Sequence, residues 1–561
     1  MPDHAPDQAR DRAPGGPDGI PDGGDLLVRV LREHGVDTVY GVVSVHNLPL
    51  VEAVARDLRF VAVRHEAAAV NAADGHARAS GGLGCALTST GTGAGNAAGS
   101  MIEALAAGSR VLHVTGNIDS PYLGQGRGVI HETKDQLGML TAVSKHAAAV
   151  TSAETAGTVL REAARKALAL PHGPVSVEWP IDLQYAPQPQ EHACPRERPR
   201  PPALPEEGLD EAVRLVGSAR RPVIWAGGGA REAGEPLRAL AELLGAPVFT
   251  SNAGRGSIPE DHDLVIGNFA TSPAAAPLLA DADLLLSIGT HFRSNETRHY
   301  KLALPERHVQ IDVDPAALGR AYPVTLGVRG EASRVLAALA DAVTPATEDG
   351  WRERGVATRR AVREKLRADI GPYALICDAI RRHLDPRSPI ARDVTIPSSQ
   401  WGNRLLPILD PATNVFPLGG GIGQGLAMGI GAALARPDVP SLVMAGDGGL
   451  SVHLGELATL AQERPWLVLL VFNDGGYGVL RNMQDAHMGR RSGVDLFTPD
   501  FSALAAATAM PYALVKHAEE FDEAFAKAVA ARQPYLLEVD VTAVGPTPVP
   551  FVPPVALPKG R

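Results

Sequence analysis

The chain has 561 residues, of which 45% are apolar and 21% charged, and 53 Lys and Arg against 63 Asp and Glu give a net charge of −10. At about 150 residues per domain this length suits roughly three to four domains, which excludes a single small module, and the near-average composition excludes a disordered polymer or a fibrous repeat. A negative chain without a basic cluster argues against a nucleic-acid partner.

Residues 1–24 are rich in Asp, Pro, Gly and Arg without an apolar core, and read as a disordered tail rather than a signal or an anchor. Short β-branched runs at 38–43, 60–64, 85–88, 110–115 and 175–178 then alternate with Ala-rich stretches of helical period such as 66–79 and 95–107. That alternation predicts a parallel sheet covered by helices, giving a first α/β domain over 25–185. A proline-rich stretch over 186–206 reads as a linker. A second α/β unit, 207–345, carries strands near 222–226, 247–250, 284–288 and 308–313, and a charged helical connector over 346–372 follows. The third unit, 373–545, carries strands at 415–418, 441–445, 467–473, 512–515 and 535–541, and 546–561 is a Pro-rich tail, extended over the surface or disordered. The fold class is therefore α/β, with three doubly wound parallel-sheet domains.

The longest strongly apolar run, 466–472, is far below the ~20 residues a membrane helix requires, so no membrane is expected. Cys85, Cys194 and Cys377 are odd in number and lack metal or CxxC spacing, which suits a reducing cytoplasm.

The chemistry concentrates in 442–478. A strand runs into Gly446-Asp447-Gly448-Gly449, a helix follows, and a second strand delivers Asn473-Asp474-Gly475-Gly476. In a doubly wound sheet the carboxyl ends of strands line the ligand crevice, so Asp447 and Asp474, 27 residues apart, are expected to meet there. Glycines beside an aspartate let backbone N–H groups approach a phosphate while the carboxylate holds a hard cation. Two carboxylates, a carbonyl, water and phosphate oxygens complete the octahedron of Mg²⁺. A pair of glycine turns capping two strands is the bland alternative.

This segment resembles the thiamin diphosphate motif of the acetolactate synthase, pyruvate decarboxylase and benzoylformate decarboxylase superfamily, with Asp474 in place of the family's second Asn. The resemblance covers about 25–545 and names the three domains as pyrimidine-binding, central and diphosphate-binding. It implies thiamin diphosphate and Mg²⁺ as cofactors, with Asp447, Asp474 and the Gly476 carbonyl as metal ligands and Gly446, Gly448, Gly449 and Tyr477 in the cofactor site. By the same resemblance Glu66, in Arg64-His-Glu-Ala, matches the glutamate that hydrogen-bonds the aminopyrimidine and promotes removal of the C2 proton. A buried carboxylate of raised pKa suits that task, while His65 reads as structural. Thr88 to Asn96, TSTGTGAGN, resembles the glycine-rich loop of the pyrimidine domain. Ile422, in Phe416-Pro-Leu-Gly-Gly-Gly-Ile-Gly, matches the apolar wedge that bends the cofactor, with Gly420 and Ile422 contacting the pyrimidine. Thr395 stands where relatives offer a hydroxyl to the diphosphate.

Such a cofactor takes up the electron pair left when CO₂ departs from a 2-oxo acid. Protonation then gives an aldehyde, whereas attack on a second carbonyl gives an acyloin or acetohydroxyacid. His131, in Gly128-Val-Ile-His-Glu-Thr, occupies the place of a glutamine in acetolactate synthases and of the first histidine of a pair in pyruvate decarboxylases, with Glu132 replacing the second. A near-neutral imidazole relays protons and favours the aldehyde. Val45 and Leu480 replace acids of pyruvate decarboxylase, Ser89 or Thr90 a histidine of benzoylformate decarboxylase, and Met483 a tryptophan of acetohydroxyacid synthases, so none of these activities transfers intact. His46 lies close enough in the chain to face substrate as well, and Arg481, Arg490 and Arg491 are candidates for a substrate carboxylate. Gly227-Gly-Gly and Gly289-Thr-His-Phe-Arg resemble the region that binds FAD in some relatives, and the pattern admits FAD without favouring it.

The expected reaction is decarboxylation of a small-molecule 2-oxo acid to an aldehyde. The alternatives are acetolactate synthase-like carboligation and a non-catalytic regulatory subunit. The resemblance further implies a homodimer or homotetramer with active sites between chains.

Overall fold

The computed structural model describes residues 20–189, 204 and 207–553. The calls for a disordered tail before residue 20, for a linker through 190–203, and for the tail's last residues, 554–561, lie outside them, as does Cys194. Among the described residues no helix is long and apolar enough to cross a membrane.

The chain divides into two compact units, one formed by residues 1–199 with 455–463 and one by the rest. In the first unit six parallel strands lie in the spatial order Arg59–Ala62, Thr38–Gly41, Gly84–Thr88, Val111–Asn117, Val175–Pro180, His146–Ala149. The chain's first strand thus sits between its second and third, so successive crossovers leave it in opposite directions. The crevice this opens at the carboxyl ends of Thr38–Gly41 and Gly84–Thr88 is where doubly wound sheets bind ligands. The core beneath is aliphatic, with Val39, Leu87, Leu112, Val114, Val177 and Trp179 fully enclosed. Each such side chain contributes roughly 1.5–3 kcal/mol by leaving water.

Helix Glu66–Ser80 is enclosed on nearly every face, and this explains its alanines: larger side chains would hold it off the sheet and off helix Thr92–Ala107. Its Arg78 and Asp74, one turn apart and both buried, form a two-pronged ion pair at 2.7 Å, with Ser109 also on the guanidinium. Gly81, in the left-handed region at φ 72°, ends the helix.

The second unit holds two further six-stranded parallel sheets. One runs Leu326–Arg329, His308–Asp312, Leu284–Ile288, Pro222–Ala226, Val248–Thr250, Val265–Gly267. The other runs Asn414–Val415, Ile390–Arg392, Ser441–Gly446, Leu467–Asn473, Tyr535–Asp540, Tyr512–Val515, and repeats the strand order of the first unit. Its switch point lies between the ends of Ile390–Arg392 and Ser441–Gly446. Helix Trp351–Ile370 fills the expected charged connector, and Trp225, Trp351, Trp401 and Phe472 share one core that runs through both sheets.

Several elements depart from expectation. The first helix, Gly23–Glu33, begins inside the expected tail because Asp22 caps it, accepting from the N–H groups of Gly24 and Asp25. Four strands were not predicted. His146–Ala149 is alanine-rich, while Val265–Gly267, Leu326–Arg329 and Ile390–Arg392 have only three or four residues, too few for a period-2 pattern. The expected strand over 415–418 shrinks to Asn414–Val415, because the chain leaves the edge for the loop before Gly420. Residues 546–553 do lie over the surface, Val549 donating to Asp369 and accepting from Gln400.

Candidate active site

In the second unit, strand Ser441–Gly446 ends at Asp447 and strand Leu467–Asn473 ends at Asp474, paired in parallel through Gly446 and Phe472. The two acids therefore leave adjacent strand ends, and the Asp474 N–H donates to Asp447 Oδ1 at 3.4 Å. Asp447 Oδ2 and Asp474 Oδ1 are buried with no hydrogen-bond donor on either. Burial raises the Asp447 carboxyl, and burial together with the Asp447 charge pushes Asp474 up to about 6. Two enclosed carboxylate oxygens without a donor are what a hard cation requires. A Cβ on Gly448 would stand 2.8 Å from the Gly476 carbonyl oxygen and 2.8 Å from the Tyr477 ring, so that carbonyl and ring close over Gly448. A Cβ on Gly446 would stand 2.9 Å from Thr395 Oγ1, which places the threonine hydroxyl at the same strand end. The residues present thus fit a divalent cation with a diphosphate. Among the described residues no group of three or more His, Cys, Asp or Glu is gathered as a metal site, and the Gly476 carbonyl oxygen lies at the same end, beside Gly448.

The loop behind Asp474 is held from several sides. Gly475 is left-handed at φ 79°, Tyr477 donates to the Val494 carbonyl at 2.8 Å, and Leu496 donates to that of Gly475 at 3.0 Å. Arg481 donates to the carbonyls of Asp474 and Gly475 at 3.1 and 3.2 Å and to Asp495 at 2.8 Å. Arg491 is paired with Asp485 at 2.7 Å. Two of the three arginines read as candidates for a substrate carboxylate, Arg481 and Arg491, are thus engaged within their own segment.

Sequence reasoning missed Asp393, which is 1% exposed one residue beyond strand Ile390–Arg392. Its carboxylate accepts from the N–H groups of Val394 at 2.7 Å and of Gly423 and Gly425 at 3.1 Å each. His453 bonds the Gly423 carbonyl at 2.8 Å. Together they clamp the loop that presents Ile422, which is 37% exposed, and that needs left-handed glycines at 420 and 423. The partners are 30 and 32 residues away, so no local signal marks this aspartate.

In the first unit the expected strand over 60–64 stops at Ala62, and Glu66 opens the helix instead of ending the strand. His65 caps that helix, its Nδ1 accepting from the Ala67 N–H at 3.2 Å, which is the structural part expected of it. Glu66 is half-buried within its own unit, not buried as expected. Asn96 donates to Glu66 Oε2 at 3.0 Å, and a Cβ on Gly93 would stand 2.9 Å from Oε1. The glycine-rich loop therefore frames the glutamate. The same loop reaches His131: Gly91, left-handed at φ 61°, lies against the His131 carbonyl, and Gln136 accepts from Thr90 Oγ1 at 2.9 Å and from Gly91 N–H at 2.8 Å.

His131 is itself left-handed at φ 68°, a conformation that is rare outside glycine. Glu132, which sequence reasoning placed only as a replacement, accepts from the N–H groups of Gly126, Gly128 and Val129 at 2.9, 2.8 and 3.1 Å and so shapes the loop. The ring of His46 lies 5.4 Å from that of His131, tilted by 44°.

In the central sheet, Gly227–Gly229 and Gly289 pack against each other at the switch point, Gly229 donating to the Gly289 carbonyl at 3.0 Å.

Comparison with known families identifies three matching segments. Residues 21–139 match the thiamine pyrophosphate enzyme N-terminal TPP binding domain, 209–339 its central domain and 397–539 its C-terminal TPP binding domain. A probable 2-ketoarginine decarboxylase, AruI, of Pseudomonas aeruginosa is 34% identical across 86% of this chain and 88% of its own length. The chain belongs to the thiamine pyrophosphate enzyme family. Other relatives of this thiamine pyrophosphate enzyme include a probable acetolactate synthase large subunit of Methanocaldococcus jannaschii, 29% identical across 95% of this chain and 93% of its own. The acetolactate synthase isozyme 2 large subunit of Escherichia coli is 26% identical across 95% and 98%. The resemblance drawn from GDG and the ND pair is thus confirmed, as are the three α/β sheets.

Proposed function

We propose that this thiamine pyrophosphate enzyme decarboxylates a 2-oxo acid non-oxidatively, releasing an aldehyde and CO₂. The observation that carries the proposal is His131, held left-handed against the glycine-rich loop that also frames Glu66. An imidazole kept in a strained backbone conformation on a loop whose His131 carbonyl packs against Gly91, two residues from the Gly93 that abuts Glu66, suits delivery of a proton to product. The P. aeruginosa relative named as a decarboxylase supports the same outcome.

Thiamin diphosphate, when bound, supplies the carbon nucleophile and the electron sink for loss of CO₂. Asp447, Asp474 and the Gly476 carbonyl would hold Mg²⁺, and the backbone of Gly446, Gly448 and Gly449 with Thr395 and Tyr477 would line the diphosphate end. Ile422 and Gly420 would support the rings. Glu66, oriented by Asn96, would hold and release a proton at its carboxylate on the pyrimidine side, and His131 would donate a proton to the product-forming carbon. Glu66 and the aspartate pair belong to the two different units, and two copies of the chain each contribute one half of a site in a homodimer or homotetramer. The enzyme works in the cytoplasm, with a pyrimidine-binding domain over 25–185, a central domain over 207–345 and a diphosphate-binding domain over 373–545. FAD remains compatible with the central domain's glycine pattern but is not favoured, since the reaction is non-oxidative.

The acetolactate synthase relatives, which span up to 95% of this chain, favour carboligation as a second reading. Both are tested by CO₂ release and carbonyl products from a panel of 2-oxo acids, 2-ketoarginine included, with wild type and Glu66→Gln. Free aldehyde without a second substrate, lost in the variant, supports the decarboxylase. An acyloin or acetohydroxyacid moves the assignment to carboligase, and failure to bind thiamin diphosphate at all leaves a regulatory subunit.

A further inference from the structure

His46 is 5% exposed, with Nδ1 buried and lacking a hydrogen-bond partner, and Nδ1 of His131 is in the same condition. The two ring centroids lie 5.4 Å apart, tilted by 44° and without a direct hydrogen bond between them, close enough for a proton to pass through one intervening water. Neither ring arrives there by a local accident of chain. His46 sits in the loop after strand Thr38–Gly41, where Asn47 ties the loop to the carbonyls of Val42 and Thr88 at 3.0 and 3.1 Å and Gln184 grips the His46 carbonyl at 2.9 Å. His131 comes from a loop 85 residues later in the chain that Glu132 and Gly91 hold in place. Both therefore converge on the switch point of the first sheet. Their sequence neighbours Val45 and Ile130 are 61% and 68% exposed, an apolar rim suited to shedding water once covered.

We infer that His46 is a positioning and relay residue for the proposed decarboxylation, holding a single proton jointly with His131 and returning it to His131 after each turnover. This rests on the decarboxylase reading above. The balance is simple: the carbon that has lost CO₂ forms a C–H bond with the proton carried by His131, His131 recovers a proton from His46, and His46 recovers one from solvent. Each turnover consumes one proton and needs no oxidant or reductant. The charged and titratable groups that act on His46 are His131 and Asp119; around it, Gly116, Gln184 and Asn47 are neutral. Burial, with His131 adding to it and Asp119 opposing, holds the His46 ring below the ordinary imidazole value. Two facing imidazoles of which one resists protonation titrate as a pair, not as two independent groups.

The test has two readouts on the full-length holoenzyme. Histidine C2–H exchange by mass spectrometry, without substrate, follows each ring across pH. In wild type the exchange profile of each ring is expected to depend on the other, so that His46→Gln displaces the pH dependence of exchange at the His131 ring. A His131 curve that His46→Gln leaves in place overturns the pairing. The reciprocal His131→Asn, which tolerates the left-handed backbone, must move the His46 curve, so a variant that fails to fold does not decide the matter. In single turnover, His46→Gln is expected to slow aldehyde formation by about tenfold or more while leaving the CO₂ burst near wild type, with the pH profile of aldehyde release displaced. Equal slowing of both steps overturns the relay. If wild type releases no CO₂ from any 2-oxo acid the decarboxylase reading fails, and the exchange curves still judge the pair.

Discussion

Asn96 donates a hydrogen bond to Glu66 across 3.0 Å, joining the second turn of one crossover helix to the first residue of the crossover helix before it. The carboxylate has rotamer freedom that a half-exposed position would otherwise leave it, and this bond selects one orientation. Glu66→Gln is expected to lower turnover by about 10²–10⁴-fold because the proton it exchanges is gone. Asn96→Ala should reduce it by about tenfold through orientation alone. Steady-state rates of CO₂ release decide, and an Asn96→Ala loss as large as that of Glu66→Gln would contradict a merely orienting bond.

At Gly93 a Cβ would stand 2.7 Å from the Ser89 Cβ and 2.9 Å from Glu66 Oε1. Gly93→Ala is therefore expected to displace the glutamate and cost about tenfold or more in turnover, while circular dichroism remains that of wild type. Gly95, one position along the exposed face, has nothing within 4 Å of such a Cβ, so a single chain should accept alanine there.

The Asp447 charge raises the Asp474 carboxyl, so the two acids repel each other; neither Asp447 Oδ2 nor Asp474 Oδ1 accepts a hydrogen bond, and Arg481 stands 3.7 Å from the latter. Asp474→Ala should raise the thermal stability of the metal-free protein by relieving that repulsion, and should abolish the stabilisation that Mg²⁺ with thiamin diphosphate gives wild type, because it removes the ligating oxygen that Asn would keep. Thermal melts with and without both ligands test the pair of signs together. A variant still stabilised by the ligands would remove Asp474 from the metal set.

Burial pushes the Asp393 carboxyl up to about 6 from an ordinary value of 3.8, against the pull of three backbone N–H bonds. Its folded-state value is raised, so the folded state holds a proton that the unfolded state releases. The stabilisation is full below about 4 and is lost as pH rises through about 6, on the order of 3 kcal/mol in all. Asp393→Asn should remove this dependence. Comparing melting temperatures of wild type and variant from pH 4.5 to 8 should show wild type losing ground as pH rises, and parallel curves would refute it.

Glu132 gathers three N–H groups of the loop before His131. Glu132→Ala leaves those donors to water, so amide exchange across 126–131 should quicken while the rest of the sheet holds its protection. Aldehyde formation should fall with it, since His131 loses its fixed backbone. Unchanged exchange in that loop would show that Gly91 and its neighbours suffice.

The architecture was legible because buried parallel strands read as continuous apolar runs separated by helical stretches, and length alone bounded such units only at roughly three to four. The aspartate pair was legible too, since a strand that ends in a glycine-flanked acid exposes it at one known edge of the sheet. His65 was expected only to be structural, from its place at a strand end, and its part as a helix cap came from the structure. Edge strands such as His146–Ala149 were not readable, because alanine favours helix and only pairing to Val175–Pro180 makes the segment extended. Nor were the partners of Glu132, Asp393 and His46. Local patterning determines which elements form and where their ends fall; which distant loops meet at a switch point, and which buried polar groups then find or lack a partner, was decided only by the packing of the sheets. Hydrogen bonds and imidazole contacts across many residues depend on three-dimensional distance, for which sequence spacing carries no code.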